Sequence, residues 1–360
     1  HAAENQTVVW DIQEDTEIMR LEDSTLSFLN IPFSPKGEQF ALAKQNTVTV
    51  FDTQQGVEAA QLTHEAGDWI WKTAFSPDGQ RLLASYFSYG ELETDDSESF
   101  VAVWDIQKEE EIFQLPYGQI RSASFSADGD RLVIGDVDHI IKVWDIESRN
   151  EISRIDLKAT VNFEEAGAEA VDVPFKAGAV PDSRYVWATA DDFFFGVWDS
   201  ESGEEIWRVD RLHWGIPAAV SANGQAVATV RDMAEGPSVD PVLNVWGMQN
   251  GRERVQIEST EECTFTWTSD MSLSADGRYL ATRCFYTPNR ETSLPTSSSD
   301  LLNTEHYIAI FDLKSDAKTL LPLDSDYRHA FSFSQDGQRL AVKYTGENSV
   351  GVDVWDIQFN

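Results

Sequence analysis

The sequence is poor in cysteine, in basic residues and in long apolar runs. Its two cysteines, Cys263 and Cys284, are too few for a disulfide framework and lack the spacing of metal ligands. Lysine and arginine number 27 against 62 aspartate and glutamate residues, which gives a formal charge of −35 over 360 residues. Nucleic acids and anionic membranes require basic clusters, so neither is expected as a partner. No apolar stretch reaches the length of about 18 residues that a membrane span needs.

Motifs of common catalytic sites are also missing. No Gly-rich phosphate loop, nucleophile elbow or zinc motif occurs, and the six histidines show no metal spacing. The acidic pairs are those expected by chance among so many carboxylates, so they carry no glycosidase signal. No basic leader followed by an apolar stretch is found at the N-terminus, so any secretory signal is expected to be absent or already removed. We therefore expect no catalytic residue, no metal and no cofactor.

What the chain has in abundance is internal repetition. One motif is an apolar residue followed by Ser-x-Asp-Gly or a close variant. It ends at Gly37, Gly79, Gly129, Gly224, Gly277 and Gly337, and a degenerate copy lies at residues 180–184. Asp-Gly is a strong signal for a tight turn between two strands, so the motif predicts seven such turns.

The second motif is an alternating apolar run that ends in Trp-Asp or a variant. Its eight copies end at Asp11, Asp52, Asp105, Asp145, Asp199, Gly247, Asp312 and Asp356. Successive copies are 41, 53, 40, 54, 48, 65 and 44 residues apart, so the shorter intervals match the period of a propeller blade. Helical periodicity is weak, and short strands with regular turns predict an all-β chain.

These motifs resemble those of the WD-repeat β-propeller family, in its bacterial form. The resemblance covers nearly the whole chain and implies a single domain over residues 1–360, a seven-bladed β-propeller of four-stranded antiparallel blades. The family commonly closes its ring with an N-terminal strand, and residues 17–21 are expected to fill that place. The first Trp-Asp copy, in residues 1–13, then has no slot. It is either left over from a preceding blade of a longer polypeptide or an extra edge strand.

The resemblance also implies structural roles for several residues. The family places the Trp of the second motif between neighbouring blades, where its N–H joins a network of Ser or Thr, His and Asp. The residues expected in these roles are Trp104, Trp144, Trp198, Trp246 and Trp355, with Asp138, Asp192, Ser122 and His64 as network members. No unit shows the whole network plainly. His64 is expected to be structural, because catalysis would need a second convergent group.

Strand order assigns the long insertions to one face of the ring. Residues 88–99, 232–241 and 286–305 lie between second and third strands, and residues 157–171 lie between a fourth strand and the next first strand. In antiparallel blades these two kinds of connection share a face. Loops on rigid scaffolds carry function, so this face is the expected working surface. Neutral growth of loops is the alternative.

The same face is expected to display the starts of the innermost strands. Ten and eight residues before the turn glycines lie side chains typical of binding hot spots: Trp69, Trp71, Arg121, Trp214, Trp267, Tyr327 and His329. Either they contact a partner or the indoles fill the channel. Basic residues that end second strands predict a cationic spot at this mouth for a carboxylate or an acidic peptide: Lys44, Arg231, Arg283 and Lys343.

The sequence favours a non-catalytic scaffold or sensor module that binds a protein or peptide through its loop-rich face. The alternative is a small-ligand-binding or enzymatic propeller that uses the central channel, which would need clustered His or carboxylate ligands. The isolated domain is expected to be monomeric. Cys263 and Cys284 look out of step on the hairpin register, so we expect free thiols. Two cysteines in unlike settings favour a reducing, cytoplasmic compartment over a secreted one and leave export open. Salt adaptation would explain the acidity without any partner.

Overall fold

A computed structural model of the chain shows a protein built from β-strands. The structure describes residues 6–11, 16–22, 32–65, 69–87, 99–117, 120–159, 175–180, 184–190, 194–210, 219–231, 242–260, 262–265, 271–286, 305–315, 317–323, 330–334, 337–345 and 350–357. Within these ranges the helical structure is a single 3-10 turn at Leu157–Ala159, and no helix is long and apolar enough to cross a membrane. The chain divides into two compact units, and each is described by itself.

Unit 1 comprises His1–Asn162, Phe175–Ala179 and Ser200–Gly203. Its strands are β1 (Gln6–Asp11), β2 (Thr16–Glu22), β3 (Gln39–Lys44), β4 (Thr47–Asp52), β5 (Val57–Thr63), β6 (Trp69–Phe75), β7 (Arg81–Phe87), β8 (Ser99–Asp105), β9 (Glu110–Tyr117), β10 (Ile120–Phe125), β11 (Arg131–Asp136), β12 (Ile140–Asp145), β13 (Glu151–Asp156) and β14 (Phe175–Ala179). They form antiparallel sheets in the orders β1-β2, β3-β4-β5, β6-β7-β8-β9 and β10-β11-β12-β13. β14 lies beside β10 and β11.

Unit 2 comprises Phe163–Pro174, Val180–Asp199 and Glu204–Asn360. Its strands are β15 (Tyr185–Ala190), β16 (Phe194–Asp199), β17 (Glu205–Asp210), β18 (Ala219–Val220), β19 (Ala226–Arg231), β20 (Val242–Gly247), β21 (Glu253–Ile257), β22 (Thr264–Phe265), β23 (Met271–Leu273), β24 (Tyr279–Phe285), β25 (His306–Asp312), β26 (Lys318–Leu323), β27 (Ala330–Phe333), β28 (Arg339–Thr345) and β29 (Val350–Asp356). β15, β16 and β17 pair in order, as do β18 to β21 and β27 to β29. β22 and β23 both pair with β24, which continues to β25 and β26.

Position within a sheet sets the burial pattern of a strand. The third strands β8, β16 and β20 are mostly apolar and are buried on both faces along nearly their whole length. The fourth strands β5 and β13 instead expose most of their side chains and bury only every second residue near their ends. A strand buried on both faces needs neighbours above and below it, so the sheets of each unit pack face to face. The apolar side chains between them form the core.

The Ser-x-Asp-Gly motif forms the turns that the sequence predicts. We number the sheets from β3-β4-β5 as the first, so β6 to β9 form the second sheet. In this sheet Ser76 Oγ donates to Asp78 Oδ1 at 2.5 Å and also accepts the N–H of Arg81 at 2.9 Å. Gly79 closes the turn with its N–H on Ser76 O at 2.9 Å and has φ +73°, a conformation that glycine adopts without strain. All six glycines of the motif have positive φ. Each motif residue therefore satisfies a backbone group or permits a backbone angle.

A second set of positive-φ glycines lies in turns between third and fourth strands. Gly251 follows β20, and a Cβ atom there would lie 2.7 Å from Cγ of Trp207 on β17. A Cβ on Gly56 would lie 3.2 Å from the carbonyl oxygen of Ile18 on β2. These turns therefore leave room for the fourth strand of the preceding sheet.

The structure confirms four-stranded antiparallel sheets, in β6 to β9, β10 to β13 and β18 to β21. The number of blades, the single ring over residues 1–360 and its closure by an N-terminal strand stay predictions. β2, the strand expected to close the ring, pairs antiparallel with β1. The first Trp-Asp copy therefore has a partner strand, and the two form a hairpin like the third and fourth strands of a repeat.

The expectation of free thiols is wrong. Cys263 and Cys284 are joined in a disulfide, with their Cα atoms 5.1 Å apart. β22 pairs with β24 in a register that sets Phe265, and not Cys263, opposite Cys284. The two cysteines are therefore not direct cross-strand neighbours, as the sequence predicts. A tight turn nevertheless folds the chain back, with reciprocal backbone hydrogen bonds between Thr260 and Cys263 at 3.0 and 3.1 Å. The turn places the two Cα atoms at a distance that a disulfide can span.

Candidate functional site

Several of the residues singled out in the sequence lie outside the described residues. They are Trp214, Trp267, Tyr327, His329 and Asp192. Most of the four insertions lie outside as well, but the strands around them are described. β7 and β8, β19 and β20, and β24 and β25 flank three insertions, which confirms their place between second and third strands.

Trp69 and Trp71 lie on β6, the first strand of the second sheet. Trp69 is the first residue of the strand and is 44% exposed. Trp71 is half-buried and packs against an apolar cluster that includes Leu83, Phe113 and Ile120. The two indoles are therefore unlike each other: Trp69 is available to a ligand, and Trp71 belongs largely to the packing between two sheets.

Arg121 lies on β10, the first strand of the third sheet, and its side chain is exposed. The pairing of β10 with β11 shifts in register between Ile120 and Ser122, just as the pairing of β6 with β7 shifts between Ile70 and Lys72. Arg121 and Trp71 are thus the corresponding extra residues of two bulges. β6 and β10 contact each other within unit 1, so Arg121 and Trp69 lie on neighbouring strands.

Lys72 is a functional candidate that the sequence did not single out. Its side chain is half-buried, and its Nζ donates to the carbonyl oxygen of Ala123 on β10 at 3.1 Å. The corresponding position on β14 is Lys176, which is exposed. Burial lowers the pKa of Lys72, and the nearby positive charge of Lys176 lowers it further. The spacing in the sequence indicates that the two lysines correspond. Lys72 lies four residues before Ser76 and Lys176 four residues before Val180, and the backbone N–H groups of Ser76 and Val180 close the turns that follow.

His64 occupies a packed aromatic site. Its ring lies 4.5 Å from that of Phe100 and 5.2 Å from that of Tyr86, measured between centroids, and edge-on to Trp104 at 6.5 Å. Its Nε2 lies 3.2 Å from the carboxylate of Glu111. These contacts join the first two sheets through apolar packing and a polar contact with Glu111. The structural role expected for His64 stays a prediction.

The Trp residues of the second motif have unequal surroundings. Trp104, Trp198 and Trp246 are buried, Trp144 is half-buried, and Trp355 is 38% exposed. Trp355 lies on β29, the last strand of its sheet, and no further strand pairs with β29 among the residues described. Among the residues described, Trp355 therefore lacks the outer strand that helps to cover the other four.

One indole has the hydroxyl partner expected from the family resemblance, but on a different strand. Trp246 Nε1 donates to Thr229 Oγ1 on the second strand β19 at 2.8 Å. Ser122, the expected hydroxyl of the third sheet, lies on a first strand and accepts the backbone N–H of Ala177 at 2.9 Å. The position of Thr229 is taken by Ile134 in the third sheet, so Trp144 has no such partner in the described part of the chain.

The buried carboxylate of the third sheet is Asp136 rather than Asp138. Asp138 is 73% exposed and lies 3.9 Å from the ammonium of Lys158. Asp136 accepts the N–H groups of Asp138 and Ile140, both at 3.0 Å, and pairs with the buried Lys142 at 2.9 Å. Burial raises the pKa of Asp136 and lowers that of Lys142. Without a His opposite it, Asp138 has no partner that would draw it inward.

Metal binding has no support in the described residues. No group of three or more His, Cys, Asp or Glu side chains among them could hold a metal ion. Unit 1 also places two lysines, Lys72 and Lys176, near each other on first strands.

Comparison with known proteins locates the repeat. The family model "WD domain, G-beta repeat" matches residues 110–145, from the fourth strand of one sheet to the third strand of the next. No curated protein matches the chain in sequence. Among solved structures, the Cps50 (Swd1) beta-propeller domain of Myceliophteria thermophila is similar, with a TM-score of 0.52 and 15% identity over 78% of this chain and 87% of that one. The chain therefore carries a WD40 repeat and has a fold similar to that of a β-propeller domain.

Proposed function

We propose that the protein is a non-catalytic scaffold or sensor module that binds a protein or peptide at the first strands of its sheets. The observation that carries this proposal is the indole of Trp69, which is 44% exposed on an otherwise well-packed strand. Aromatic and arginine side chains are typical of binding hot spots, and Arg121 is exposed on the neighbouring strand β10. The WD40 repeat supports the same function, since domains of this kind commonly bind protein partners.

A peptide display selection on the immobilised protein tests the proposal. Linear peptides enriched on the wild-type chain should lose most of their binding to Trp69→Ala. Trp355→Ala is the matched control, because that indole is exposed to a similar degree on a strand of unit 2. Circular dichroism should show that both variants keep the β-sheet spectrum.

Two results would contradict the proposal. One is selection that enriches no peptide, or enriches peptides that bind Trp69→Ala as well as the wild type. The other is a metal content near one ion per purified chain, with metal-dependent turnover of a small substrate, which would favour the enzymatic alternative instead.

A further inference from the structure

Two first strands of unit 1 carry a lysine at the same position relative to the turn that follows the strand. Lys72 on β6 and Lys176 on β14 occupy corresponding positions, and Ser122 of β10 lies at the position between them. The strands are tied together by two hydrogen bonds, from Lys72 Nζ to Ala123 O at 3.1 Å and from Ala177 N to Ser122 Oγ at 2.9 Å. The first bond fixes the ammonium of Lys72, and the second holds the strand that carries Lys176 beside β10.

No carboxylate neutralises these cations in the described part of the chain. Lys72, Lys176 and Arg121 have no aspartate or glutamate within ion-pair distance there. Unit 1 otherwise pairs buried cations directly, as Lys142 is paired with Asp136 at 2.9 Å. Lys72 and Lys176 stand near each other, and Arg121 lies on the strand between theirs, so this part of unit 1 holds positive charge without a carboxylate partner among the described residues.

Placing the charge of Lys72 in this position costs free energy. Its ammonium is partly removed from water, and a second cation stands near it, so its pKa is lowered for both reasons. A single carbonyl oxygen does not supply a compensating negative charge. Groups held in such unfavourable electrostatic surroundings are concentrated at functional sites, because a ligand supplies the missing charge.

An apolar contact lies next to the cations. Trp69 precedes Lys72 by three residues on the same strand, which corresponds to about 10 Å along the chain. A ligand that reaches both the ammonium group and the exposed indole must be longer than a phosphate or acetate ion. A peptide with acidic and apolar side chains has the required length and both kinds of group.

We propose that Lys72, Lys176 and Arg121 form an anion-binding site for an acidic segment of a peptide or protein partner, with Trp69 receiving an apolar side chain beside it. This inference rests on the proposed function and specifies the chemistry of the partner. The ammonium groups of Lys72 and Lys176 neutralise carboxylates as point charges, and the guanidinium of Arg121 can accept a carboxylate with two N–H groups.

Fluorescence anisotropy with a defined probe tests the site. The probe is a fluorescein-labelled octapeptide of alternating glutamate and leucine, and its analogue has glutamine in place of glutamate. The wild-type protein should bind the acidic peptide at least about tenfold more tightly than the glutamine analogue, which is one decade or about 1.4 kcal/mol. Lys72→Met and Lys176→Met should each weaken binding of the acidic peptide about five- to tenfold.

The matched control is Lys108→Met. It removes one positive charge from an exposed turn between the third and fourth strands of the same sheet as Lys72. Binding of the acidic peptide should change less than twofold. Lys72→Met should also keep or raise the melting temperature, because it removes the repulsion from Lys176. A purely structural lysine would give the opposite result, a lower melting temperature.

Inorganic phosphate at matched ionic strength distinguishes a peptide site from a site for small anions. Displacement of the peptide only at much higher phosphate concentration supports the proposal. Displacement at lower concentration would overturn it in favour of a small-anion site. Equal affinity for the glutamine analogue, or unchanged binding by both lysine variants, would also overturn it.

Failure of this inference is distinguishable from failure of the proposed function. If display selection enriches peptides that depend on Trp69 but bind Lys72→Met and Lys176→Met as tightly as the wild type, the scaffold function stands and the anion site does not. If no peptide depends on Trp69, both fail.

Discussion

At the scale of single residues, hydroxyl groups on second strands decide how well each motif indole is satisfied. Thr229 accepts the hydrogen bond of Trp246 in the fifth sheet, counted from β3. The corresponding threonine in the next sheet is Thr282, where the motif aromatic is Phe311, which has no N–H to donate. Both threonines are almost completely buried. Thr229 and Thr282 therefore compare a buried threonine hydroxyl that accepts a hydrogen bond with one that has no partner among the described residues.

We expect Thr229→Val to lower the free energy of unfolding by about 1–3 kcal/mol, because it leaves the buried indole N–H of Trp246 without an acceptor. Thr282→Val should be neutral or stabilising, since its hydroxyl already has no partner among the described residues. Urea unfolding of both variants measures the difference. Equal losses of stability would show that the hydrogen bond contributes nothing specific.

Carboxylates of the Trp-Asp motif form a second set of residue-scale contacts. Asp312 accepts two hydrogen bonds from Arg278, from Nε at 3.2 Å and from Nη2 at 2.7 Å. These bonds lower the pKa of Asp312 to about 2, below its ordinary 3.8. The folded state therefore favours the charged form. Its contribution to stability is complete above the ordinary pKa and is lost as the pH falls from about 4 towards 2.

Asp312→Asn should therefore be less stable than the wild type at pH 7, and the difference should narrow between pH 4 and pH 2. Thermal unfolding at a series of pH values measures it. Asp356→Asn is the control, because that carboxylate is 70% exposed beside Arg339 and contributes little at any pH. A difference for Asp312→Asn that stays constant down to pH 2 would contradict the pKa and its cause.

At the scale of elements, the disulfide ties the segment before β22 to β24. The two cysteines are 21 residues apart, and both lie in the apolar core of unit 2. Closing a loop of this length restricts the unfolded chain, which stabilises a protein by roughly 3 kcal/mol.

Replacement of both cysteines by alanine should lower the melting temperature by several degrees, since the cross-link is lost. The wild-type protein, denatured without reductant, should show no free thiol to a thiol reagent, and reduction should release two. Free thiols in protein purified under oxidising conditions would contradict the bond. Ser259→Ala, which removes the acceptor of the Phe265 N–H at 3.1 Å near the same turn, shows the effect of a local change that leaves the cross-link in place.

At the scale of the whole molecule, the charge of −35 is the dominant feature. Repulsion among surface carboxylates destabilises a compact state at low ionic strength. Salt screens this repulsion, and the distance over which it acts falls to about 10 Å at 0.1 M and about 3 Å at 1 M. The paired cations do not remove this effect, because acidic residues outnumber basic ones by more than two to one.

The melting temperature should therefore rise by several degrees between 10 mM and 1 M sodium chloride. Chloride is the appropriate anion, because sulfate would also strengthen apolar burial. Circular dichroism or calorimetry measures the change. A melting temperature that is constant or falls with salt would argue against charge repulsion and against salt adaptation as the reason for the composition.

The sequence predicted the parts of the structure that depend on local chemistry. Tight turns, strand periodicity and the places of three insertions follow from motif spacing, and they are present as expected. The disulfide was missed because a tight turn at Thr260 overrides the register of the hairpin. Lys72 and Asp136 were missed because their importance depends on burial and on neighbouring strands, which spacing alone does not indicate.

The glycine turns after the third strands bear on how such a chain can change in evolution. Gly251 leaves the space that Trp207 occupies, although the two residues belong to successive repeats. The bulky side chain and the glycine that accommodates it are thus separated by a repeat boundary. A duplication cut at the boundary would separate them, whereas one that begins at a fourth strand and ends after the next glycine would copy both. The segment that can be duplicated without separating them therefore begins and ends at different strands from the four-stranded sheet.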